Sequence, residues 1–345
     1  TKYFTMQSKN YSFQQTALKS FLTSFLFCCC LALTNNAVAQ MFEKAYQSQE
    51  NHSGYSVVEA QSSVGGYVMA GTAFAAGVPE PAPSWINVVA VDANGVAMWN
   101  KQYDLGASSA RCFNINHTPD GYILSGMVDF GGSYQACLIH IDFNGAVIDS
   151  RIYYDNILGA NSQALHTVFS YHDFSFTTVG FVNDDNYDNT GNKQAFVFRS
   201  DYGLNIMCDQ FFDTPQMVGT AANIDYDMAE HVTDLYGTGF FITGSINAPL
   251  NYNKQGVLAL RIDNNCNLVA NGSFSSSNST EAGVSAVFDG QRIHLLSNNS
   301  EIHNFELTTF GPNLNIMNHV GFSPCCDNYA GFSLRESPTN PNNLV

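Results

Sequence analysis

One polar loop of this sequence has the residue types that bind a hard cation. Asp184, Asn186 and Asp188 alternate within the run DDNYDN and place oxygen ligands at every second position. Ca²⁺ loops use this spacing, with glycine normally at the sixth position and an acidic residue at the twelfth. Here those positions hold Asn189 and Ala195. The sequence predicts Ca²⁺ at these three residues and no other cofactor, with a solvated polar loop as the alternative.

Four aromatic residues stand in similar places and could stack on a sugar ring. Each lies near the end of a variable, mostly polar segment between two apolar runs: Trp85, Tyr134, Tyr187 and Tyr252. An aromatic face beside hydrogen-bonding side chains suits a sugar. We therefore predict ligand binding at these residues. In the alternative, the aromatic residues open the strand that follows and cover the edge of a sheet.

The elements that must position these residues are β-strands arranged in a repeat. GGYVMAG (65–71), DGYILSG (120–126), FSFTTVG (174–180) and GFFITGS (239–245) share one pattern of aromatic and aliphatic residues that ends in a small residue. After each come a second apolar run, a tight turn and a strand that ends in an aromatic residue. The turns are DANG (92–95), DFNG (142–145), SDYG (200–203) and DNNC (263–266). A further strand opens each unit.

Each unit thus contains four strands, A to D, in about 50 to 60 residues. Repeats of this kind are typical of β-propeller blades. The predicted blades are 53–104, 110–154, 163–212, 225–274 and 283–322. The competing all-β interpretation, two stacked sandwiches, does not require the same strand signature in every unit.

The ends of the repeat region predict how the ring closes. MFEKAYQ (41–47) matches the D strand MWNKQYD (98–104), so we expect it to supply the outer strand of a closing blade. The segment 328–345 begins like another A strand and stops where a B strand is due. The sequence therefore predicts an all-β propeller of six or seven blades over 40–345, truncated at its C-terminus.

The first 39 residues differ in composition from the rest. Two lysines precede the apolar run FLTSFLFCCCLAL (21–33), which is too short to span a bilayer, and Ala37 and Ala39 flank a small-residue site. This pattern predicts upstream residues and a secretory signal peptide over 1–39, cleaved after Ala39. A short membrane anchor is the alternative. We expect a secreted or cell-surface protein that is not an integral membrane protein.

The net charge restricts the partners. The whole chain carries −16, and all 29 acidic residues follow residue 39, against 10 Lys and Arg. Such a surface repels phosphates, so nucleic acid is excluded as a partner. Six cysteines remain after cleavage: Cys112, Cys137, Cys208, Cys266, Cys325 and Cys326. They allow fifteen disulfide pairings, among which the sequence does not choose.

The repeat resembles a known family. Gly-Tyr-aliphatic-aliphatic-x-Gly, then Asp-x-Asn-Gly and an aromatic D strand, is similar to the secreted propeller proteins of Bacteroidota that carry a type IX secretion sorting domain. The resemblance covers Gln40 to about Leu334 and is weakest in the fifth unit, where Phe310-Gly311-Pro312 replaces the Asp-x-Asn-Gly turn. It implies a released or surface-bound protein. It implies no reaction, since propellers carry many functions.

Catalytic motifs are weak. Ala90, Asp92, Gly95 and Trp99 are similar to the docking motif of quinoprotein dehydrogenases, but the chain has only two tryptophans and Trp99 does not recur. We therefore expect Trp99 to pack between blades. The sequence contains no Gly-x-Ser-x-Gly or His-Glu-x-x-His motif.

The function predicted is non-enzymatic recognition or display, with a glycan or a protein as ligand. The alternative is a propeller enzyme acting on polysaccharide, a glycoside hydrolase or lyase, and a third is a structural spacer. An enzyme needs carboxylates or histidines from several A strands, and in the sequence these strands offer mainly Glu59 and His166.

Overall fold

The computed structural model divides the chain into two units, 1–45 and 46–345. The described residues all belong to the second unit. They are 51–61, 65–75, 77, 83–154, 158, 161–183, 193–212, 227–247, 255–274, 281–299, 304–322, 334, 336–337 and 340–344.

Within this part, twenty strands form five sheets of four antiparallel strands each, in sequence order across the sheet. Blade 1 contains β1 (Asn51–Glu59), β2 (Tyr67–Phe74), β3 (Ser84–Val91) and β4 (Ala97–Tyr103). Blade 2 contains β5 (Ser109–Thr118), β6 (Gly121–Asp129), β7 (Tyr134–Asp142) and β8 (Val147–Tyr153). Blade 3 contains β9 (Gln163–Ser170), β10 (Ser175–Asn183), β11 (Lys193–Ser200) and β12 (Ile206–Phe212).

Blade 4 contains β13 (Met228–Asp234), β14 (Phe240–Asn247), β15 (Gln255–Ile262) and β16 (Leu268–Phe274). Blade 5 contains β17 (Glu281–Phe288), β18 (Ile293–Asn299), β19 (Asn304–Phe310) and β20 (Ile316–Phe322). A short pair, β21 (Glu336–Ser337) and β22 (Asn340–Leu344), follows blade 5.

Contacts between the sheets define the architecture. The A strands touch in succession, β1 with β5, β5 with β9, β9 with β13 and β13 with β17. Successive sheets also share four hydrophobic cores, one at each junction between neighbouring blades. Five meander sheets packed face to face, with their first strands innermost, form a β-propeller, and the predicted fold is confirmed.

Burial explains why the B and C strands are the recognisable part of the repeat. Both faces of these strands meet a neighbouring blade, so β6 and β10 are buried at eight successive positions. The D strands lie at the periphery, and β4 and β8 are buried only at their last residues, Tyr103 and Tyr153. A strand buried on both faces reads as a continuous apolar run, which is the pattern that the sequence repeats.

The C–D turns share one hydrogen-bonding scheme. In the first turn, Oδ1 of Asp92 accepts from the backbone N–H of Asn94 at 2.9 Å and of Val96 at 2.8 Å. The fourth residue of each turn adopts a positive φ: Gly95, Gly145, Leu204, Cys266 and Leu314. The third turn is therefore 201–204, and the predicted 200–203 was wrong by one residue. Blade 5 keeps the backbone turn without the aspartate, since Leu314 donates to the Gly311 carbonyl at 3.0 Å.

A β-bulge in every A strand explains the small residue that ends each B-strand motif. The extra residues are Tyr55, Phe113, Leu165, Glu230 and Val284. The bulge brings the A-strand backbone against the B strand. A Cβ built on Gly126 would lie 2.0 Å from the Arg111 carbonyl oxygen, and one on Gly180 would lie 1.8 Å from that of Gln163. Only glycine fits such an approach; blade 5 departs, with Ser297 opposite Gly283.

The outer parts of the blades are joined by a second set of contacts. The Tyr103 hydroxyl donates to the Gly145 carbonyl at 2.9 Å, and the Tyr153 hydroxyl donates to the Leu204 carbonyl at 3.0 Å. Each bond runs from the last residue of a D strand to the C–D turn of the next blade. Burial raises the pKa of both tyrosines, so the hydroxyls keep the protons that they donate.

At the junction of blades 3 and 4 a disulfide takes this place. Cys208 on β12 is bonded to Cys266 in the C–D turn of blade 4, and the two cysteines are 58 residues apart in the sequence. Cys112 and Cys137 are buried free thiols. Cys325 and Cys326 lie outside the described residues, as does the predicted closing strand 41–47.

Replacing Gly126 by alanine should lower the free energy of unfolding by about 3 kcal/mol, because the new Cβ forces the bulged strand away. The measurement is urea denaturation followed by circular dichroism. Gly272→Ala on β16 is the control, since a Cβ there meets nothing within 4 Å. Equal stability of the two variants would contradict the role given to the bulge.

Removing the disulfide with Cys208→Ala should lower the free energy of unfolding by about 4 kcal/mol, the chain-entropy value for a loop of this length. Wild-type protein in reductant should unfold at the same urea concentration as this variant. Cys137→Ala, which removes a buried free thiol, should cost packing energy without abolishing the effect of reductant. A wild-type protein indifferent to reductant would refute the contribution of this bond.

Candidate functional site in the central cavity

The A strands of all five blades surround a cavity of about 1320 Å³. This exceeds the ~300–1,000 Å³ of sites for drug-sized ligands and has room for an oligomeric one. Its wall consists mainly of residues from the middle and the C-terminal half of the A strands. The cavity therefore extends toward the end of the molecule that carries the A–B turns.

The bulges provide one ring of side chains in this wall. Tyr55, Phe113, Leu165, Glu230 and Val284 occupy equivalent positions, and all five line the cavity. A bulge re-aims one side chain relative to its neighbours, and here it does so once in each blade. Four members of the ring are uncharged and one is a carboxyl group. The rings of Tyr55 and Phe113 meet edge to face, with centroids 5.9 Å apart.

The residues immediately after the bulges form a second, polar ring: Ser56, Asn114, His166, His231 and Ser285. Their side chains hydrogen-bond to neighbouring blades. Asn114 Oδ1 accepts from the Thr167 backbone N–H at 3.3 Å, and its Nδ2 donates to Ser56 Oγ at 3.4 Å. These side chains tie blades together at the axis while also facing the cavity.

The two histidines continue the polar ring through blades 3, 4 and 5. His166 Nδ1 accepts from the Val232 N–H at 3.4 Å, and His231 Nδ1 accepts from the Ala286 N–H at 3.4 Å. Because Nδ1 is the acceptor in both, this bonding assigns the proton of each neutral ring to Nε2. The two imidazole centroids lie 4.0 Å apart with an interplanar angle of 36°.

Ser285 makes the corresponding contact beyond blade 5. Its Oγ accepts from the Leu334 backbone N–H at 3.2 Å. The Leu334 N–H thus bonds to a side chain of β17 in the way that the Ala286 N–H bonds to a side chain of β13, and Leu334 also lines the cavity. This is the place that the A strand of a next blade would occupy, and the short pair β21–β22 follows it. The predicted boundaries of that blade stay a prediction.

Glu230 is the acidic member of the bulge ring. Burial raises the pKa of this carboxyl group, while the Ser245 hydroxyl and the Lys193 ammonium act in the opposite direction. Ser245 Oγ donates to Oε1 at 3.2 Å. The ammonium of Lys193 lies over the Phe181 ring, 4.5 Å from its centroid, and contacts Met228 Sδ at 3.4 Å. The net effect is a carboxyl group for which ionisation is costly in the absence of a further cation.

Aromatic residues from the A–B turn end complete the wall. Tyr171 and Tyr236 line the cavity although their side chains are 58% and 64% exposed. Tyr236 packs on Phe288 with centroids 5.4 Å apart, and Tyr171 meets Phe169 edge to face at 4.9 Å. Partly exposed rings of this kind offer flat apolar faces to a ligand at the mouth of the cavity.

The predicted aromatic site lies elsewhere, as far as the structure describes it. Trp85 and Tyr134 are the second residue of β3 and the first of β7, so both lie at the B–C end of their blades. Antiparallel order puts the B–C connections at the end opposite the A–B turns, and neither residue lines the cavity. Tyr187 and Tyr252 lie outside the described residues, so ligand binding at these four residues stays a prediction.

The predicted Ca²⁺ site at Asp184, Asn186 and Asp188 also lies outside the described residues. Among those that are described, no three His, Cys, Asp or Glu side chains come close enough to hold a metal ion. The described segments include no helix of the length and apolarity needed to cross a membrane. Trp99 is partly buried against the core between blades 1 and 2, as predicted.

Sequence reasoning missed most of the polar wall. It singled out Glu59 and His166 on the A strands; His166 lines the cavity, whereas Glu59 is exposed and does not. Asn114, Glu230 and His231 were not assigned to the site, because the bulges disrupt the strict alternation that would place them. An alignment of the A strands on their Gly-x-Ser segments, 54–56 and 283–285, is the signal that could have shown the equivalence.

Comparison with known proteins adds little. No protein-family profile and no curated protein matches the chain. A mutant of the Synechocystis apocarotenoid oxygenase is similar in structure, with 11% identity, a TM-score of 0.44, and coverage of 83% of this chain and 64% of that one. An ACO/RPE65 chimera is 11% identical, with a TM-score of 0.42, and the match covers 82% of this chain and 64% of that one. A eukaryotic initiation factor is 9% identical, with a TM-score of 0.39, and the match covers 84% of this chain and 59% of that one.

This chain therefore spans less than two thirds of the length of each of these structures. All three TM-scores lie below 0.5. The assignment of the fold rests on the sheets and their contacts.

Replacing Asn114 by alanine should lower the free energy of unfolding by about 2 kcal/mol, because it leaves the buried Thr167 N–H without its acceptor. Urea denaturation measures the loss, and hydrogen exchange of the Thr167 amide locates it. Asn100→Ala, at an exposed position of β4, is the matched control. If both variants lose the same stability, the polar ring does not hold the blades together.

Proposed function

We propose that this protein is a secreted or cell-surface propeller that recognises a glycan or a protein in its central cavity without transforming it. The observation that carries the proposal is the cavity itself, in which all five blades place side chains around one space. A large concave site with aromatic walls and a few convergent polar groups is the usual form of a binding site.

The composition of the wall favours a glycan. Tyr171 and Tyr236 present exposed ring faces. His172, Asp234 and Asn116 line the same space and supply hydrogen-bonding groups. Sugars combine apolar ring faces with a rim of hydroxyl groups, and this wall offers a partner to both.

Recognition is favoured over catalysis by the way in which the polar groups are engaged. The Nδ1 atoms of His166 and His231 accept backbone N–H groups of the next blade. Asp234 Oδ1 accepts the Gly237 N–H at 3.2 Å within the A–B turn. Groups held by structural bonds stabilise the wall and are poorly suited to move protons during a reaction.

Two features support a location outside the cell. The pattern over 1–39 has the charge, apolar run and small residues of a secretory signal. The Cys208–Cys266 bond is of a kind that persists in oxidising compartments. Both agree with the resemblance to secreted propellers of Bacteroidota.

The proposal predicts that a glycan array identifies a ligand whose affinity falls about tenfold in Tyr236→Ala, since the variant loses a stacking face. Titration calorimetry with the identified glycan measures the change. Tyr154→Ala is the control, because Tyr154 is similarly exposed, at 52%, and does not line the cavity.

A second variant separates the two ends of the propeller. If Trp85→Ala reduces affinity and Tyr236→Ala does not, the ligand binds at the B–C end, as the sequence predicted, and the central cavity is not the site. Chromatography of the glycan after incubation tests the enzyme alternative, and shortened products would contradict recognition without chemistry.

A further inference from the structure

The charge of the cavity wall is one-sided. Among its described residues are two carboxyl groups, Glu230 and Asp234, and three imidazoles, those of His166, His172 and His231, but no lysine or arginine. The surrounding chain is itself strongly acidic, with a net charge of −16. The net negative charge of the chain disfavours the approach of an anionic ligand and favours that of a cation.

Glu230 is suited to be the counter-charge of such a cation. Its carboxyl group lines the cavity from a bulge, between the uncharged bulge residues Leu165 and Val284 of the neighbouring blades. Ser245 donates to one of its oxygens. Lys193 compensates some of the charge, yet burial outweighs it and raises the pKa. A ligand ammonium would supply the compensation that the protein leaves incomplete.

The aromatic residues of the wall favour the same ligand charge. Tyr171, Tyr236 and Phe288 line the cavity, and the face of an aromatic ring attracts an ammonium group through its quadrupole. Together with the carboxyl groups, these rings favour a cation that is also partly apolar, such as an amine on a sugar ring.

We propose that the cavity recognises an amine-bearing ligand, specifically a glycan with free amino groups, and that Glu230 binds the ammonium. This inference rests on the proposed function and narrows its ligand class. The proposed ligand differs from a neutral glycan at a single group, because N-acetylation removes the positive charge of the amine and leaves the sugar ring in place.

The test compares two probes of equal length, the glucosamine tetramer and the N-acetylglucosamine tetramer, by titration calorimetry with the full chain. We expect the amine form to bind wild-type protein at least tenfold more tightly. Glu230→Gln keeps the shape and an acceptor for Ser245, and it should abolish this preference. Glu59→Gln is the matched control, since Glu59 is an exposed A-strand carboxylate outside the cavity wall, and it should retain the preference.

The outcomes distinguish this inference from the function on which it rests. Equal binding of the two tetramers, both weakened by Tyr236→Ala, overturns the role of the amine and leaves glycan recognition in the cavity intact. A preference for the amine that survives Glu230→Gln overturns the assignment of Glu230. If neither tetramer binds, the inference fails, and the array alone decides the proposed function. The comparison of the two probes on wild-type protein does not depend on whether a variant folds.

Discussion

The close approach of the bulged A strand to the B strand is the constraint on which the rest of the structure depends. In the first four blades the A-strand backbone lies so near the B strand that a Cβ would meet a carbonyl oxygen at 1.8 to 2.0 Å. Glycine at 71, 126, 180 and 244 makes this approach possible. The bulge then turns one extra side chain of each blade to the axis and sets the following residue against the next blade. A single backbone device thus shapes the cavity and joins its walls.

Adjacent blades are also joined at their outer parts. At three junctions the D strand contacts the C–D turn of the next blade, but the type of bond differs. Tyr103 and Tyr153 end their D strands with a hydroxyl that reaches the C–D turn of the next blade. The equivalent residue of blade 3 is Phe212, which has no hydroxyl. At that junction Cys208 is bonded to Cys266, which holds the positive-φ position of the turn. Of these three described junctions, the one without a tyrosine hydrogen bond is therefore the one that has a covalent bond.

The parts of this structure that the sequence predicts are those set by local rules. B strands buried on both faces give unbroken apolar runs, and four of the five C–D turns begin with an aspartate whose side chain accepts a backbone N–H of the turn, so the repeat and its four-stranded blade can be recognised. The turn in blade 3 was misplaced by one residue because Leu204 adopts the positive φ while Gly203 precedes it. The cavity wall depends on a register shift in each A strand. The bulge positions share no residue type, as Tyr55, Glu230 and Val284 show. The sequence alone therefore does not place Glu230 at the axis.

This variety at the bulge positions has a physical reason. The backbone fixes the bulge, together with the B-strand glycine in the first four blades. The side chain of the extra residue faces the cavity, where the packing of B and C strands does not restrict it. Each blade can therefore carry a different residue at the axis without altering its own fold. In the described blades, four of these positions are uncharged and the fifth is Glu230, held near Ser245 and Lys193 of blades 4 and 3. The stability of the ring is distributed over all blades, whereas the character of the cavity can change through one residue at a time.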